Sequence, residues 1–159
     1  MDTINEELLK ILKESGCIEI KYGIESGSPR ILQLMNKKIT PEQIKYAITA
    51  THDIGIKVKA FILHGFPGEN IESTKETIQL IEELRDKIDR ISLFRFVPLP
   101  GSPVYKDPQA YNLTLPENFE DIYIYNNDRK WWGKESDQKE LEQSYQMLEQ
   151  YIKSIWEKY

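Results

Sequence analysis

The chain has 159 residues, 40% hydrophobic and 30% charged, which is enough for one buried core with an appendage. A formal net charge of -5 with scattered basic residues argues against nucleic acid as a partner, since phosphate binding needs a basic patch. No apolar run approaches the roughly 20 residues a membrane span requires, and the acidic start lacks a signal-peptide pattern. A single cysteine, Cys17, excludes an internal disulfide and points to a reducing compartment, hence the cytoplasm.

Helical periodicity opens the chain: Ile4, Leu8, Leu9, Ile11 and Leu12 share one face, and Gly16 supplies a stop. Residues 17–24 alternate like a strand up to a Gly/Ser-rich turn. Ser28-Pro29 has the form of an N-cap with proline at the first helical position, leading into a helix through Met35. Thr40-Pro41-Glu42-Gln43 repeats that signal with Gln43 in the capping-box position, and its helix is expected to reach Asp53. The distal half of residues 56–64 is almost continuously apolar, as in a parallel strand buried on both faces.

After Gly65-Phe66-Pro67-Gly68-Glu69 a helix is predicted over 73–87, with Ile78, Ile81 and Leu84 on its buried stripe. A third strand over 91–97 stops at Pro98-Leu99-Pro100-Gly101. From 106 the texture becomes rich in Tyr, Asn, Asp and Pro, with Trp131-Trp132-Gly133 as an aromatic knot. A final helix over 137–159 carries a stripe of Leu141, Tyr145, Leu148, Ile152 and Ile155/Trp156, expected to pack outside the sheet.

Strands alternating with helices mean βαβ units and a parallel sheet. In such sheets chemistry sits at the carboxyl ends of strands, where this chain places two glycine-rich turns and one proline–glycine turn. The expected fold class is α/β: about three parallel strands with outer helices over residues 1–105, a partial TIM-type (β/α) barrel. Residues 106–159 then form an irregular segment and a C-terminal helical extension.

Three segments carry a resemblance. They are Gly23-Ile24-Glu25-Ser26-Gly27-Ser28 with Ile31-Leu32 and Met35-Asn36-Lys37; Phe61-Ile62-Leu63-His64-Gly65-Phe66-Pro67-Gly68-Glu69 with Thr74 and Thr77; and Pro98-Leu99-Pro100-Gly101-Ser102-Pro103-Val104-Tyr105. In this order and spacing they resemble the later half of the radical S-adenosylmethionine superfamily barrel. The nearest look is to the cobalamin-associated branch, with anaerobic magnesium-protoporphyrin IX monomethyl ester cyclase-like proteins and various methylases. The resemblance runs from Glu7 to Tyr105.

The resemblance implies S-adenosylmethionine and a 4Fe–4S cluster in the parent enzyme, a small-molecule substrate, and cobalamin if an upstream domain for it exists. Glu25 matches a residue that helps hold the methionyl or ribose part of the cosubstrate; the bland reading is a carboxylate capping the next helix. Ser26 and Ser28 divide between capping and ligand contact. Leu63 matches an apolar residue near the adenine, or is plain strand core, and Gly65 allows close backbone approach. Val97 and Pro98 end the third strand, where family backbone groups meet the adenine. His64 faces the barrel lumen or the outer helices according to register. Lys37 reads as surface charge, although some relatives place a basic residue near the cosubstrate carboxylate. Trp131 and Trp132 line a pocket or pack on the last helix.

The departure from the family is the cluster. Its iron needs three thiolates, normally CxxxCxxC after the first strand, and Cys17 precedes a strand instead, reading as a small buried hydrophobe. The expectation is therefore a fragment of a radical enzyme, inactive alone. The alternatives are a non-catalytic half-barrel that self-associates through an exposed strand edge, or an unrelated α/β enzyme using Glu25, His64 and Glu69 as acid–base groups.

Overall fold

The computed structural model describes residues 3–116, 118, 120–122, 132 and 135–156. Helix α1 (Glu6–Glu14) leads into β1 (Glu19–Glu25), and α2 (Pro29–Leu34) and α3 (Pro41–Asp53) connect it to β2 (Lys57–His64). Helix α4 (Ile71–Glu83) joins β2 to β3 (Arg90–Arg95). The short α5 (Pro103–Lys106), a 3-10 turn (Pro108–Tyr111) and α6 (Glu135–Trp156) follow. The strands form one parallel sheet in the order β1-β2-β3, the expected partial (β/α) barrel.

Local chemistry sets the helix starts. Asn5 Oδ1 accepts from the Leu8 amide at 2.8 Å, and Thr40 and Gln43 form the reciprocal capping box expected of them. Asn70 and Ser73 form a second such box, so α4 begins at Ile71 rather than Ser73. It also ends early, at Glu83, with Leu84 as its C-cap.

Side chains of β2 alternate strictly: Val58, Ala60, Ile62 and His64 are buried, while Lys57 is exposed and Lys59, Phe61 and Leu63 are half-covered. The expectation of a strand buried on both faces is thus corrected. Lys57 and Lys59 could not be buried without partners, and Phe61 and Leu63 stay half-covered because the helices of the main core pack on the Val58, Ala60 and Ile62 face alone. On that face Tyr22, Ile24, Val58, Ala60 and Ile62 meet Ile44 and Ile48 of α3, Leu80 and Ile81 of α4, and Leu148 of α6. Burying each large aliphatic side chain contributes about 1.5–3 kcal/mol. Two smaller expectations also change. Ile11 is 53% exposed, leaving Leu9 as the buried residue of α1, and Cys17 is only half-buried, its Sγ 3.5 Å from the Glu19 carbonyl.

Helix α6 docks on α4 and β3 through a polar seam as well as Leu141 and Leu148. Arg95 pairs with Glu142 at 2.9 Å, and its guanidinium stacks 3.9 Å from the Tyr145 ring centre. His64 Nε2 lies 3.2 Å from Thr74 Oγ1 and 3.0 Å from Ser144 Oγ. Register therefore turns His64 toward the helices, away from the uncovered face of the sheet. Burial, with the nearby Arg95 charge, pushes its pKa down to about 3.

In the unfolded chain this histidine takes up a proton near its ordinary 6.5, whereas the folded chain does not until about 3. The unfolded state binds more protons across that window, so stability falls as pH drops through it, by up to about 1.4 kcal/mol per pH unit from this group. The His64→Asn variant is expected to flatten the fall between pH 6.5 and pH 4.5, read from urea midpoints at a series of pH values. An unchanged slope contradicts the assignment.

Candidate functional site

Every described helix that contributes to the main core lies against one face of the sheet. Across the other face, parallel register builds rows of side chains. Lys21, Lys59 and Arg90 form one row; Gly23, Phe61 and Ser92 form the next; Leu63 and Phe94 stand above them toward the strand carboxyl ends.

At that upper end β1 bulges. The pairing passes from Gly23↔Phe61 directly to Glu25↔Ile62, so one residue of β1 is extra. Glu25 takes a left-handed φ of 65°, a conformation that costs a non-glycine residue roughly 1–2 kcal/mol. The bulge lays the Glu25 carboxylate back over Gly23, where an added Cβ would stand 2.6 Å from Oε1. Lys37, arriving from beyond α2, places its Nζ 2.9 Å from the same oxygen. Glu25 thus forms an ion pair at the strand end, and its partner Lys37 is an exposed surface charge, as expected.

Ser26 and Ser28 lie behind this pair, both fully buried. Ser26 Oγ accepts from the Ser28 amide at 3.1 Å, while Thr77 Oγ1 accepts from the Gly27 amide at 2.9 Å and lies 3.2 Å from Ser26 Oγ. Gly27 sits so tightly on α4 that a Cβ would fall 2.6 Å from the Thr77 Cα and 2.7 Å from the Glu76 carbonyl. Ser28 occupies the N-cap position of α2 without a side-chain cap bond, and its Oγ is buried with no hydrogen-bond partner. A buried hydroxyl without a partner costs free energy that a bound ligand would recover.

The end of β2 is held by Glu69, whose Oε2 accepts from the Gly65 amide at 2.6 Å. Arg30 Nη1 donates to the Gly68 carbonyl at 2.8 Å, closing the same turn from α2. Burial pushes the Glu69 carboxyl up to about 7 against the opposing pull of the Gly65 and Phe66 amides and the Arg30 charge. A cavity of about 320 Å³ adjoins this turn, lined by Phe66, Glu69, Tyr111, Trp132 and Leu141 among others. Above the strands Ile31, Phe66, Phe96, Val104, Leu113, Ile122 and Trp132 form a second core, with Phe66 edge-on to Phe96 at 5.0 Å. Leu63 and Val97 pack against it, and Pro98 is buried. Trp131 lies outside the described residues.

The structure therefore gathers Glu25, Ser26, Ser28, Leu63, Gly65, Val97 and Pro98 around one end of the sheet and leaves His64 behind it. Lys37, Thr77 and Arg30 complete the arrangement. The sequence sets Lys37 and Thr77 within the family segments; Arg30 alone goes unmarked, since nothing local points to a contact with the Gly68 carbonyl thirty-eight positions away.

Residues 1–81 match the family model described as the radical SAM superfamily. The chain belongs to that superfamily. It is 35% identical over 119 residues to an uncharacterized methyltransferase of Pyrococcus horikoshii, covering 75% of this chain and 26% of that protein. It is 29% identical over 129 residues to a tRNA-2-methylthio-N(6)-dimethylallyladenosine synthase of Sulfurihydrogenibium sp., covering 79% of this chain and 28% of that one. The chain thus spans about a quarter of the length of the curated relatives it matches. The radical S-adenosylmethionine methyltransferase TsrM of Kitasatospora setae, solved with cobalamin and a 4Fe–4S cluster bound, superposes with a TM-score of 0.59 at 18% identity, over 72% of this chain and 23% of that one. At that identity the likeness establishes the fold.

The superfamily implies S-adenosylmethionine and a 4Fe–4S cluster. The residues fit the first: a carboxylate and an ammonium stand side by side for a zwitterionic methionyl group, and the turn that follows holds a buried hydroxyl, that of Ser28, with no partner. They do not fit the second, because one cysteine cannot supply three thiolates and Cys17 precedes β1, at the opposite end from Glu25. Among the described residues no helix is long and apolar enough to cross a membrane. The expectation that nucleic acid is no partner gains no support, since one relative is named for a tRNA modification.

Two measurements check this geometry. Gly27→Ala is expected to destabilise the fold by at least about 2 kcal/mol in thermal or urea unfolding, because the added Cβ meets backbone atoms that cannot swing aside. For Glu69, the folded pKa near 7 lies above the ordinary 4.5, so the folded state binds more protons between those values and stability is lost as pH rises through 7. Glu69→Gln keeps an oxygen to accept the Gly65 amide; it is expected to be more stable than the parent chain at pH 8 and equal to it at pH 4.

Proposed function

We propose that this chain forms the later half of the barrel of a radical S-adenosylmethionine enzyme, with the uncovered face of its sheet turned to the barrel lumen. Glu25, Ser26, Ser28, Leu63, Gly65, Val97 and Pro98, with Lys37, would hold the cosubstrate. The single observation that carries this reading is the Glu25–Lys37 pair, fixed in a strained bulge over Gly23 where no helix covers the sheet. Strain kept at a strand end marks a place where geometry has been favoured over stability. A reduced 4Fe–4S cluster would supply the one electron that cleaves the sulfonium of bound S-adenosylmethionine, and the cleaved cosubstrate would take hydrogen from an organic substrate.

This chain's part is to bind and orient. Glu25 offers acceptors to an ammonium or a ribose diol, Lys37 offers a cation to a carboxylate, and Leu63 offers an apolar wall to the adenine. The cluster would be held by cysteines outside this chain. Relatives named as methyltransferases and methylthiotransferases favour methyl or methylthio transfer over the oxidative cyclisation of the cyclase-like branch. The cobalamin-bound neighbour keeps a cobalamin-dependent methyl transfer within this reading. Trp132 and α6 would close the turn after β2. Standing alone in a reducing cytoplasm, the chain would self-associate through the outer edge of β1 or β3.

In the full-length polypeptide loaded with its cluster, Glu25→Gln and Lys37→Met are each expected to weaken S-adenosylmethionine binding about tenfold, or ~1.4 kcal/mol, by calorimetric titration. The visible absorption of the cluster is expected to stay unchanged. Undiminished binding in both variants rejects the assigned roles. A reading frame with no CxxxCxxC upstream of this segment rejects the parent enzyme.

A further inference from the structure

The uncovered face carries a second chemical feature at the end opposite Glu25. Register sets Lys21, Lys59 and Arg90 side by side across the three strands, with Lys57 one row nearer the amino ends of the strands. Like charges directly opposite on neighbouring strands repel, so the row destabilises the sheet unless anions offset it. Two carboxylates lie close. Glu19 hydrogen-bonds Arg90 and stands 4.0 Å from Lys21; the Asp89 carboxylate accepts from the Val58 amide at 2.8 Å. The Arg90 hydrogen bond, followed by the charges of Arg90, Lys21 and Lys59, holds the Glu19 carboxyl below its ordinary value despite some burial. Four cations face two carboxylates here, on a chain whose formal charge is -5. A shallow depression of about 910 Å³ lined by Ile18, Glu19, Lys57, Asp89 and Arg90 opens beside the row.

Directly above the cations stands an aromatic pair. The Phe61 and Phe94 rings are tilted against each other at 5.8 Å, and the Lys59 ammonium sits 5.2 Å from the centre of Phe61. Phe94 remains 51% exposed, on a face that no described helix covers. From the Lys59 row to Ile62, the register partner of Glu25 beyond the bulge, is three residues of strand, about 10 Å. Along that distance the face reads as cations, then the Phe61 row with the Glu25 carboxylate laid over Gly23, then Phe94.

We propose that this face binds an amphipathic small molecule ending in an anion. Its carboxylate or phosphate lies against Lys21, Lys59 and Arg90, and its apolar body covers Phe61 and Phe94. The other end of a molecule about 10 Å long then reaches the strand-end site. The cationic row supplies the charge complementarity that selects an anion over a neutral ligand, and the aromatic pair selects against a bare ion. Identifying this ligand as the reacting substrate rests on the function proposed above; the binding itself does not.

The test is a two-dimensional ¹⁵N amide titration of the chain in the absence of S-adenosylmethionine. Phenyl phosphate and phenylacetate serve as the two anionic arms, and phenol and inorganic phosphate as controls. At least one anionic arm is expected to shift the amides of Lys59, Phe61, Arg90 and Phe94 saturably, and to bind at least fivefold more tightly than either control. The tighter arm identifies phosphate or carboxylate as the source of the anion. Lys59→Gln and Phe94→Ser, with spectra showing the fold intact, are each expected to weaken it at least fivefold. Absent or unsaturable shifts, phenol binding as well as the anions, or an unchanged Kd in both variants overturns the proposal. Because no arm contains the cosubstrate, such a failure leaves the S-adenosylmethionine reading standing. Loss of that reading equally leaves the anion site to be judged on these titrations.

Discussion

Parallel pairing between β1, β2 and β3 puts every second residue of all three strands on one face, and the helices of the main core lie on only one of the two faces. The rest of the molecule depends on that asymmetry. The covered face takes the apolar alternates, Tyr22, Ile24, Val58, Ala60 and Ile62, and supplies the burial that holds the sheet. The other face is thereby released from packing and can carry lysines, an arginine and a glutamate that a two-sided core would exclude. His64 falls on the covered face by the same parity. It is engaged with Thr74 and Ser144 where α6 docks, and takes no part at the strand ends.

At the carboxyl ends of the strands the structure keeps a costly conformation and surrounds it with close contacts. Glu25 holds a left-handed backbone, Gly23 leaves room for its carboxylate, and Gly27 lets the following turn touch the backbone of α4. Thr77 then satisfies the Gly27 amide, and Ser26 satisfies that of Ser28. The turn is over-determined, which is what allows the strained residue to persist. The turn after β2 is fastened in a similar way, with Glu69 on the Gly65 amide and Arg30 on the Gly68 carbonyl. Two rigid loops thus flank the uncovered face, as a site that must orient a ligand requires.

The two ends of that face differ in charge. The Glu25–Lys37 pair stands toward the upper end and a surplus of cations at the lower, with the Phe61–Phe94 pair beside the former. The charged rows of this face could not enter a dry core without partners, while Phe61 and Phe94 gain by being covered.

The sequence by itself determined the element order, the parallel sheet and the capping box at Thr40, because these rest on periodicity and on turn chemistry a few residues long, and three spaced segments carried the resemblance to the family. It also marked Glu25, Ser26, Ser28, Leu63 and Gly65, since glycine-rich turns at strand ends are local features. What only the tertiary structure decided is which partners those residues meet. The Lys37–Glu25 pair crosses twelve positions, Thr77 reaches Gly27 from fifty positions away, and Ser144 reaches His64 across eighty. The choice of one buried face for β2, against the reading of two, was likewise set by where the helices pack, and the cationic row of Lys21, Lys59 and Arg90 exists only through register between three strands. Contacts of that range depend on loop lengths, bulges and packing together. No window of sequence carries them.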